Sequence, residues 1–237
     1  MNDGQAGKPV ALITGASSGL GLALARRWAG RYRLVLTGRR EEFLEALPED
    51  ALYVSADLAK AEEAAALLMA ALDDAGLERL DLAVLNAGTG LYGDPFAEDA
   101  ESLRETLAVN LTAPVLLAHS LFPRLKRSGG RLVLVGSVAH RGSGNLATYA
   151  ASKGGLDAFA RALREEWRGR VGVSMIHPGP IATAMHEKAG FDPKGLRRIF
   201  ASPDRMAAMV ERAAARERTV LGLGRVFAHK LRHGGRF

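Results

Sequence analysis

The sequence predicts an α/β fold: a doubly wound parallel sheet with helices on both faces, forming three layers in one domain over residues 1–237. Three observations point there. Short apolar runs alternate with helical patterns, a glycine-rich turn joins the first strand to the first helix, and 237 residues with 48% hydrophobic content can bury one substantial core. Strands buried on both faces and linked by helical crossovers form a parallel sheet with right-handed connections. Ligands then bind at the carboxyl ends of the strands.

The elements follow in order. Val10-Ala11-Leu12-Ile13 is an apolar strand that runs into Thr14-Gly15-Ala16-Ser17-Ser18-Gly19-Leu20-Gly21. The glycines permit a tight turn, and Ser17 and Ser18 can donate hydroxyl hydrogen bonds or cap a helix. A helix over about 19–30 takes its apolar positions from Leu20, Leu22, Leu24, Ala25 and Trp28. Its amide-rich start suits an anionic phosphate, although the same residues also read as a simple Gly/Ser turn. A second strand, Leu34–Leu36, ends in Thr37-Gly38-Arg39-Arg40, and a third, Leu52–Val54, precedes Asp57, Leu58 and a helix over about 60–75. Leu80–Leu85 leads into Asn86-Ala87-Gly88, and a long helix over about 100–127 carries Asn110 and Pro114. Proline has no amide hydrogen, so the carbonyl of residue 110 loses its helical partner and is free to accept from water; a plain proline kink is the alternative. Leu132–Val135 precedes Ser137, a helix over about 148–168 holds Tyr149 and Lys153, Val171–Ile176 precedes Pro178-Gly179, and a last helix covers about 203–217.

Tyr149 and Lys153 stand one helical turn apart and project from one face. A free tyrosine, with a pKa of about 10, is a poor base at neutral pH. A cation about 5 Å away at an effective dielectric of about 20 contributes on the order of 3 kcal/mol, roughly two pKa units, which brings the phenol near working range. This spacing alone also describes a surface pair on an ordinary helix, so other segments must carry the case.

Five motifs in order resemble the short-chain dehydrogenase/reductase family, in its compact single-domain branch, over residues 9 to about 185. They are the turn Thr14 to Gly21, Asn86-Ala87-Gly88, Asn110, Ser137 with Tyr149-x-x-x-Lys153, and Pro178-Gly179 followed by Ile181 and Thr183. The resemblance implies a Rossmann-like dinucleotide site made by Gly15, Ser17, Ser18, Gly19, Leu20, Gly21, Asp57, Leu58, Asn86, Ala87, Gly88, Tyr149, Lys153, Pro178, Gly179, Ile181 and Thr183. It implies hydride transfer between a nicotinamide and a carbonyl or secondary alcohol. Tyr149 would act as acid/base, Ser137 would hold the substrate oxygen, Lys153 would acidify the tyrosine and bind the ribose, and Asn110 would seat a proton-relay water. Asp57 also reads as a helix cap. At the second strand's end no carboxylate stands ready for a ribose 2′-hydroxyl, whereas a guanidinium can pair with a 2′-phosphate, so NADP(H) is expected with Arg39 as selector. The alternative is that both arginines are solvated loop charges. A non-catalytic dinucleotide-binding regulator is the competing function class, but it has no need of Ser137, Tyr149, Lys153 and Asn110 together.

The remaining features bound the partners. With no cysteine there is no disulfide framework or thiolate metal site, and no metal is expected: His229 and His233 lack a third ligand, and the other histidines form no evident cluster. No apolar stretch approaches a bilayer span and Met1 to Lys8 lacks a signal peptide's apolar centre, so a soluble, cytoplasmic protein is expected. Residues 216–237 carry Arg216, Arg218, Arg225, Lys230, Arg232 and Arg236 against Glu217, nearly all of the chain's net charge of +6. Residues 218–237 read as a basic amphipathic segment in which Leu223, Val226, Phe227 and Leu231 can share one helix face. Packing on its own domain or a second subunit is favoured over peripheral membrane contact. The family's closing strand is not evident there. A homodimer or higher homo-oligomer follows from the resemblance, nucleic acid is a poorer reading, and residues 180–200 form the expected substrate loop, with Met185, His186, Phe191 and Phe200 as pocket candidates. His140 borders that pocket or lies exposed. The substrate class, among sugars, steroids, acyl thioesters and small ketones, is not fixed by the sequence.

Overall fold

The computed structural model describes residues 7–39, 51–94, 96–181, 200–216 and 219–222. Seven strands form one parallel sheet in the order β3-β2-β1-β4-β5-β6-β7. They are β1 Val10–Thr14, β2 Arg33–Gly38, β3 Leu52–Ser55, β4 Leu82–Leu85, β5 Arg131–Val135, β6 Gly172–Pro178 and β7 Thr219–Gly222. The helices are α1 Gly19–Trp28, α2 Ala61–Asp74, α3 Ala100–Leu107, α4 Ala113–Ser128, α5 Ala147–Glu166 and α6 Pro203–Ala214.

The alternation of strand side chains divides the core in two. Leu12, Val35, Leu132 and Leu134 face α2, α4 and α5 through Leu68, Leu72, Leu117, Leu121 and Leu163. Ile13, Leu36, Val84, Val133 and Ile176 face α1 and α6 through Leu24, Trp28, Met206 and Val210. The chain steps outward from β1 to β3 and then crosses to β4, so the order reverses between β1 and β4. Their carboxyl ends open a crevice there.

α3 and α4 are continuous through a π-helical turn at Ala108–Thr112. Pro114 supplies no amide hydrogen to the carbonyl of Asn110, and the chain widens so that the Ala113 amide bonds the Ala108 carbonyl. α4 stops at Gly129, whose φ of 61 is the left-handed cap. The run Ala100–Ser128 is long and apolar enough to cross a bilayer by length and composition alone. Leu117, Leu121 and Leu125 are nevertheless buried in the core that α4 shares with α2.

β7 supplies the closing strand that is not evident in the sequence, at the start of the basic segment 218–237. Thr219–Gly222 pairs in parallel with Met175–Pro178 of β6. Val220 and Leu221 alone give no recognisable period; what makes them a strand is the open edge of β6, more than forty positions earlier. The rest of the basic segment, from Leu223 on, with Glu217 and Arg218, lies outside the described residues.

Candidate active site

The crevice is built from β1 outward. The Thr14 hydroxyl accepts from the amides of Asn86 (2.9 Å) and Ala87 (3.0 Å), while Asn86 Nδ2 donates to the Thr14 carbonyl at 3.0 Å. These bonds lock the two turns flanking the crevice together. Gly15 has φ +66, and a Cβ on Gly21 would lie 2.1 Å from the Gly15 carbonyl oxygen, so only glycine lets α1 start this close to the strand. Ser18 occupies the N-cap position, and the first turn of α1 holds no acidic residue. Gly15, Ser17, Ser18, Gly19 and Gly21 thus form a cradle of backbone amides at a helix N-terminus, which fits a pyrophosphate. Leu20 is buried and packs in the core.

Beside the cradle, Arg39, Ser55, Asp57 and Lys60 line a cavity of about 290 Å³ at the ends of β2 and β3. Arg39 Nη1 lies 3.3 Å from Glu105 Oε1 on α3, an exposed pair. Asp57 accepts from the Ala59 amide at 3.1 Å. The N-cap of α2 is Lys60, so Asp57 turns the chain ahead of the helix and does not cap it; Leu58 is buried.

On the other side of β4, α5 carries Tyr149 and Lys153 toward β5. Gly90 passes so near the phenol ring that a Cβ there would lie 2.7 Å from Tyr149 Cδ2. Lys153 is buried, its Nζ donating to the Val135 carbonyl at 3.1 Å and lying 5.8 Å from the Tyr149 ring centroid. Burial lowers the ammonium pKa to about 8. The tyrosine departs from expectation. Burial holds its phenol above the ordinary value, and a hydrogen bond with Ser137 brings it only partway down. Desolvation of the anion therefore outweighs its neighbours in the cofactor-free protein, and the phenol is held as an acid.

Ser137 follows β5 and caps a short 3-10 turn, Val138–Arg141, its Oγ accepting from the Ala139 amide at 3.2 Å. The capping and substrate-facing readings of Ser137 are compatible, since the same hydroxyl reaches Tyr149. Asn110 is buried in the π turn: Nδ2 donates to the Thr89 carbonyl (2.8 Å) and to Ser152 Oγ (3.1 Å), and Oδ1 accepts from the Thr89 amide at 2.9 Å. A Cβ on Gly88 would lie 3.3 Å from Asn110 Oδ1 and 3.5 Å from Lys153 Nζ. Asn86, Ala87, Gly88, Asn110, Ser137, Tyr149 and Lys153 thus converge on the crevice. Pro178 and Gly179 end β6, and Ile181 bridges to Ala201, whose amide bonds the Pro180 carbonyl at 2.9 Å. Thr183, Met185, His186, Phe191 and Arg40 lie outside the described residues; Phe200 is described and buried.

The expectation that the histidines outside the tail form no cluster is overturned. His140 and His177 stack with ring centroids 3.7 Å apart, each Nδ1 lying 2.9 Å from the Ser137 carbonyl oxygen. His177 Nε2 meets Asp157 Oδ1 at 3.0 Å, and Arg161 holds the other carboxylate oxygen at 3.0 Å. Asp157 sits one turn beyond Lys153, a spacing visible in the sequence, but nothing in the sequence placed His177 against it. Ligand atoms of His140, Asp157 and His177 lie within 4.8 Å of one another. The rings are nearly parallel and Asp157 takes the far nitrogen of His177, so their lone pairs do not converge as tetrahedral coordination requires. Gly90 and Ser152 carry no signal in the sequence, and only three-dimensional proximity to Tyr149 and Asn110 marks them; Thr14 reads as the start of the glycine turn, but not as the residue that ties it to Asn86.

Residues 9–193 match the family described as short chain dehydrogenase. The chain belongs to that family of oxidoreductases. It is 38% identical over 194 residues to ketoacyl reductase 2, named for the granaticin polyketide synthase of Streptomyces violaceoruber, covering 77% of each chain. A 3-ketoacyl-(acyl-carrier-protein) reductase from Brucella melitensis, solved with NADH, superposes with a TM-score of 0.80 at 28% identity, covering 92% of this chain and 98% of that one. A short-chain dehydrogenase from Sphingobium yanoikuyae, solved with NADPH, gives 0.79 at 25% identity over 95% and 94%. These neighbours support a nicotinamide dinucleotide as cofactor.

Proposed function

We propose that the protein is an NADP(H)-dependent reductase of carbonyl compounds, with the secondary alcohol as product. The observation that carries this reading is the convergence of Ser137, Tyr149, Lys153 and Asn110 beside a glycine cradle fit for a pyrophosphate. The dinucleotide, when bound, would supply the hydride. The cradle from Gly15 to Gly21 would hold its phosphates, Asp57 and Leu58 its adenine, and Asn86 to Gly88, Lys153, Pro178, Gly179, Ile181 and Thr183 its nicotinamide half. Arg39 would pair with a 2′-phosphate in the cavity it lines.

The chain's own chemistry is proton delivery. Ser137 Oγ hydrogen-bonds the carbonyl oxygen and aligns it with Tyr149, whose phenol, held protonated by burial, donates to that oxygen as negative charge develops on it. Lys153 then stabilises the tyrosinate, a charge that does not exist until transfer begins. Its depressed pKa makes the ammonium a ready source for reprotonation. The carbonyl of Asn110, deprived of a partner by Pro114, would seat the water that links Lys153 to solvent. Prolonged storage of a proton on Tyr149 suits reduction, which consumes one. The ketoacyl groups for which the Streptomyces and Brucella reductases are named make acetoacetyl thioesters the first substrates to try, followed by hexuloses, steroids and small ketones.

The test is a carbonyl panel with NADPH, and the matching alcohols with NADP⁺, followed by nicotinamide absorbance. Turnover of one class supports the reductase. Tight NADPH binding with no turnover across all classes supports the dinucleotide-binding regulator instead.

A further inference from the structure

The His177–Asp157 pair lies under the site against the Ser137 main chain, and neither side chain has a part in the chemistry just described. His177 is fully buried, and each edge of its ring faces an oxygen: Nδ1 the Ser137 carbonyl at 2.9 Å, and Nε2 Asp157 Oδ1 at 3.0 Å. Its main chain immediately precedes Pro178. Asp157 is on α5 with Tyr149 and Lys153, whereas Ser137 is on the separate turn after β5. The imidazole therefore bridges the two segments whose relative placement sets the distance between the Ser137 hydroxyl and the Tyr149 phenol. The backbone has been cleared for it: a Cβ on Gly136 would lie 2.7 Å from His177 Nδ1 and 2.5 Å from Met175 Cε.

Counting protons sharpens the role. A carboxylate oxygen and a carbonyl oxygen are both acceptors, and a neutral imidazole carries one N–H for the two of them. The ionised Asp157, held by Arg161, attracts that proton more strongly than a neutral carbonyl does. Neutral His177 thus bonds Asp157 and leaves a bare Nδ1 facing Ser137, where the His140 ring also bonds the same carbonyl. Only the imidazolium satisfies both contacts.

We propose that His177, braced by Asp157, is a positioning residue for Ser137, and that its tie between the Ser137 turn and the Tyr149 helix closes fully when both ring nitrogens are protonated. The inference rests on the reductase reading for its consequence in turnover, but not for the tie itself.

The groups acting on this proton are identifiable. Burial lowers the His177 pKa and stacked His140 lowers it further, while Asp157 and the Ser137 carbonyl raise it, leaving it below the ordinary histidine value. Lys153, one turn before Asp157, is turned to the Val135 carbonyl. β5 ends here in Val135 with Gly136 after it, and β7 in Val220, Leu221 and Gly222, none ionisable. On α6, Asp204, Arg205 and Arg212 are exposed, and Glu211 is paired with Arg27 and Arg31. The tie is therefore open at neutral pH and closes on acidification, below the range in which an ordinary histidine titrates.

The direct experiment is NMR on the intact, cofactor-free protein, with ¹⁵N-labelled histidine and a ¹³C-labelled Ser137 carbonyl, between pH 5 and 8. His177 should pass from the Nε2–H tautomer to the doubly protonated ring, with the Ser137 carbonyl shift following the same midpoint. A Ser137 carbonyl indifferent to that titration, or a neutral ring protonated on Nδ1, overturns the proposal. Two variants separate the edges of the ring: His177→Asn keeps a donor near the Nδ1 position and His177→Gln near Nε2. With NADPH and an acetoacetyl thioester, or whichever panel carbonyl turns over, His177→Gln should match the wild type where the ring is neutral and lack its acidic rise, falling about tenfold below it in kcat at the acid end of the profile. His177→Asn should keep most of the wild type's acid-end rate across the whole range, and NADPH affinity should hold in both. Equal rates and pH profiles in the wild type and both variants, or a loss that merely tracks NADPH affinity, would also overturn it. Tyr149→Phe run alongside keeps the two readings apart. If it is inactive while His177→Gln behaves as wild type, only the positioning role fails; if it is active, the reductase mechanism fails and the NMR result stands on its own.

Discussion

Replacing Arg39 by alanine tests cofactor choice with a magnitude the geometry supplies. In the free protein the guanidinium sits 3.3 Å from Glu105, both side chains substantially exposed, so the pair is worth about 0–1 kcal/mol. Binding a 2′-phosphate must break or share that contact and replaces it with charge-assisted hydrogen bonds of about 1.5–3 kcal/mol. The net gain is about 1–2 kcal/mol, roughly fivefold to thirtyfold in affinity. Lys60, which lines the same cavity, supplies a second cation and keeps some preference in the variant. NADH has no 2′-phosphate and its affinity should stay within about twofold of wild type, because nothing else in the cradle is touched. Titrations followed by nicotinamide fluorescence, with NADPH and NADH on wild type and Arg39→Ala at one ionic strength, give all four dissociation constants. The reasoning fails if the ratio of NADPH to NADH affinity is unchanged, or if both fall equally, which would make Arg39 a general structural contact.

Three further outcomes follow from the buried groups around Tyr149. Lys153→Met should abolish turnover yet stabilise the free protein, because the ammonium pKa is lowered to about 8; from the ordinary value of 10.5 that is a cost of about 3 kcal/mol. The sign follows from the unfolded chain binding the extra proton between the two values: the cost is full below pH 8 and disappears as pH rises to about 10.5. Melting curves should therefore separate wild type and variant at pH 7 and bring them together near pH 10.5; equal stability at pH 7 would contradict the burial argument. The same ionisation predicts that kcat/KM for carbonyl reduction falls as pH rises past about 8, since that ratio reports the free enzyme; a profile flat to pH 9.5 would contradict it. Gly90→Ala forces the Tyr149 ring aside, as the added carbon would sit 2.7 Å from Cδ2, and should lower kcat about a hundredfold with NADPH affinity retained. An undiminished kcat would show that the ring has room to yield.

Much of this fold was legible because its signals are local. Val10 to Ile13 and the glycine turn fix a strand and a helix start by composition alone, and five of the other strands sit on apolar runs within a few residues of their observed ends. Pro114 announced an irregular helix, although widening into a π turn rather than kinking depends on how α4 packs against the sheet. β7 was hidden because Val220 and Leu221 become a strand only against β6. The site divides in the same way. Tyr149 and Lys153 share a helix, so their juxtaposition follows from spacing. The direction of the tyrosine pKa does not, because desolvation depends on Gly90 and other residues that no local pattern brings near. His177 and Asp157, twenty positions apart, meet only across the boundary between sheet and helix.

The central claim is that Tyr149 donates the proton that completes carbonyl reduction, and Tyr149→Phe addresses it most directly by removing one oxygen and leaving the ring against Gly90. Rapid-mixing single-turnover oxidation of bound NADPH by an accepted carbonyl should slow by about 10²- to 10⁴-fold with the NADPH dissociation constant unchanged. A variant that oxidises NADPH within a few-fold of the wild-type rate would contradict the account.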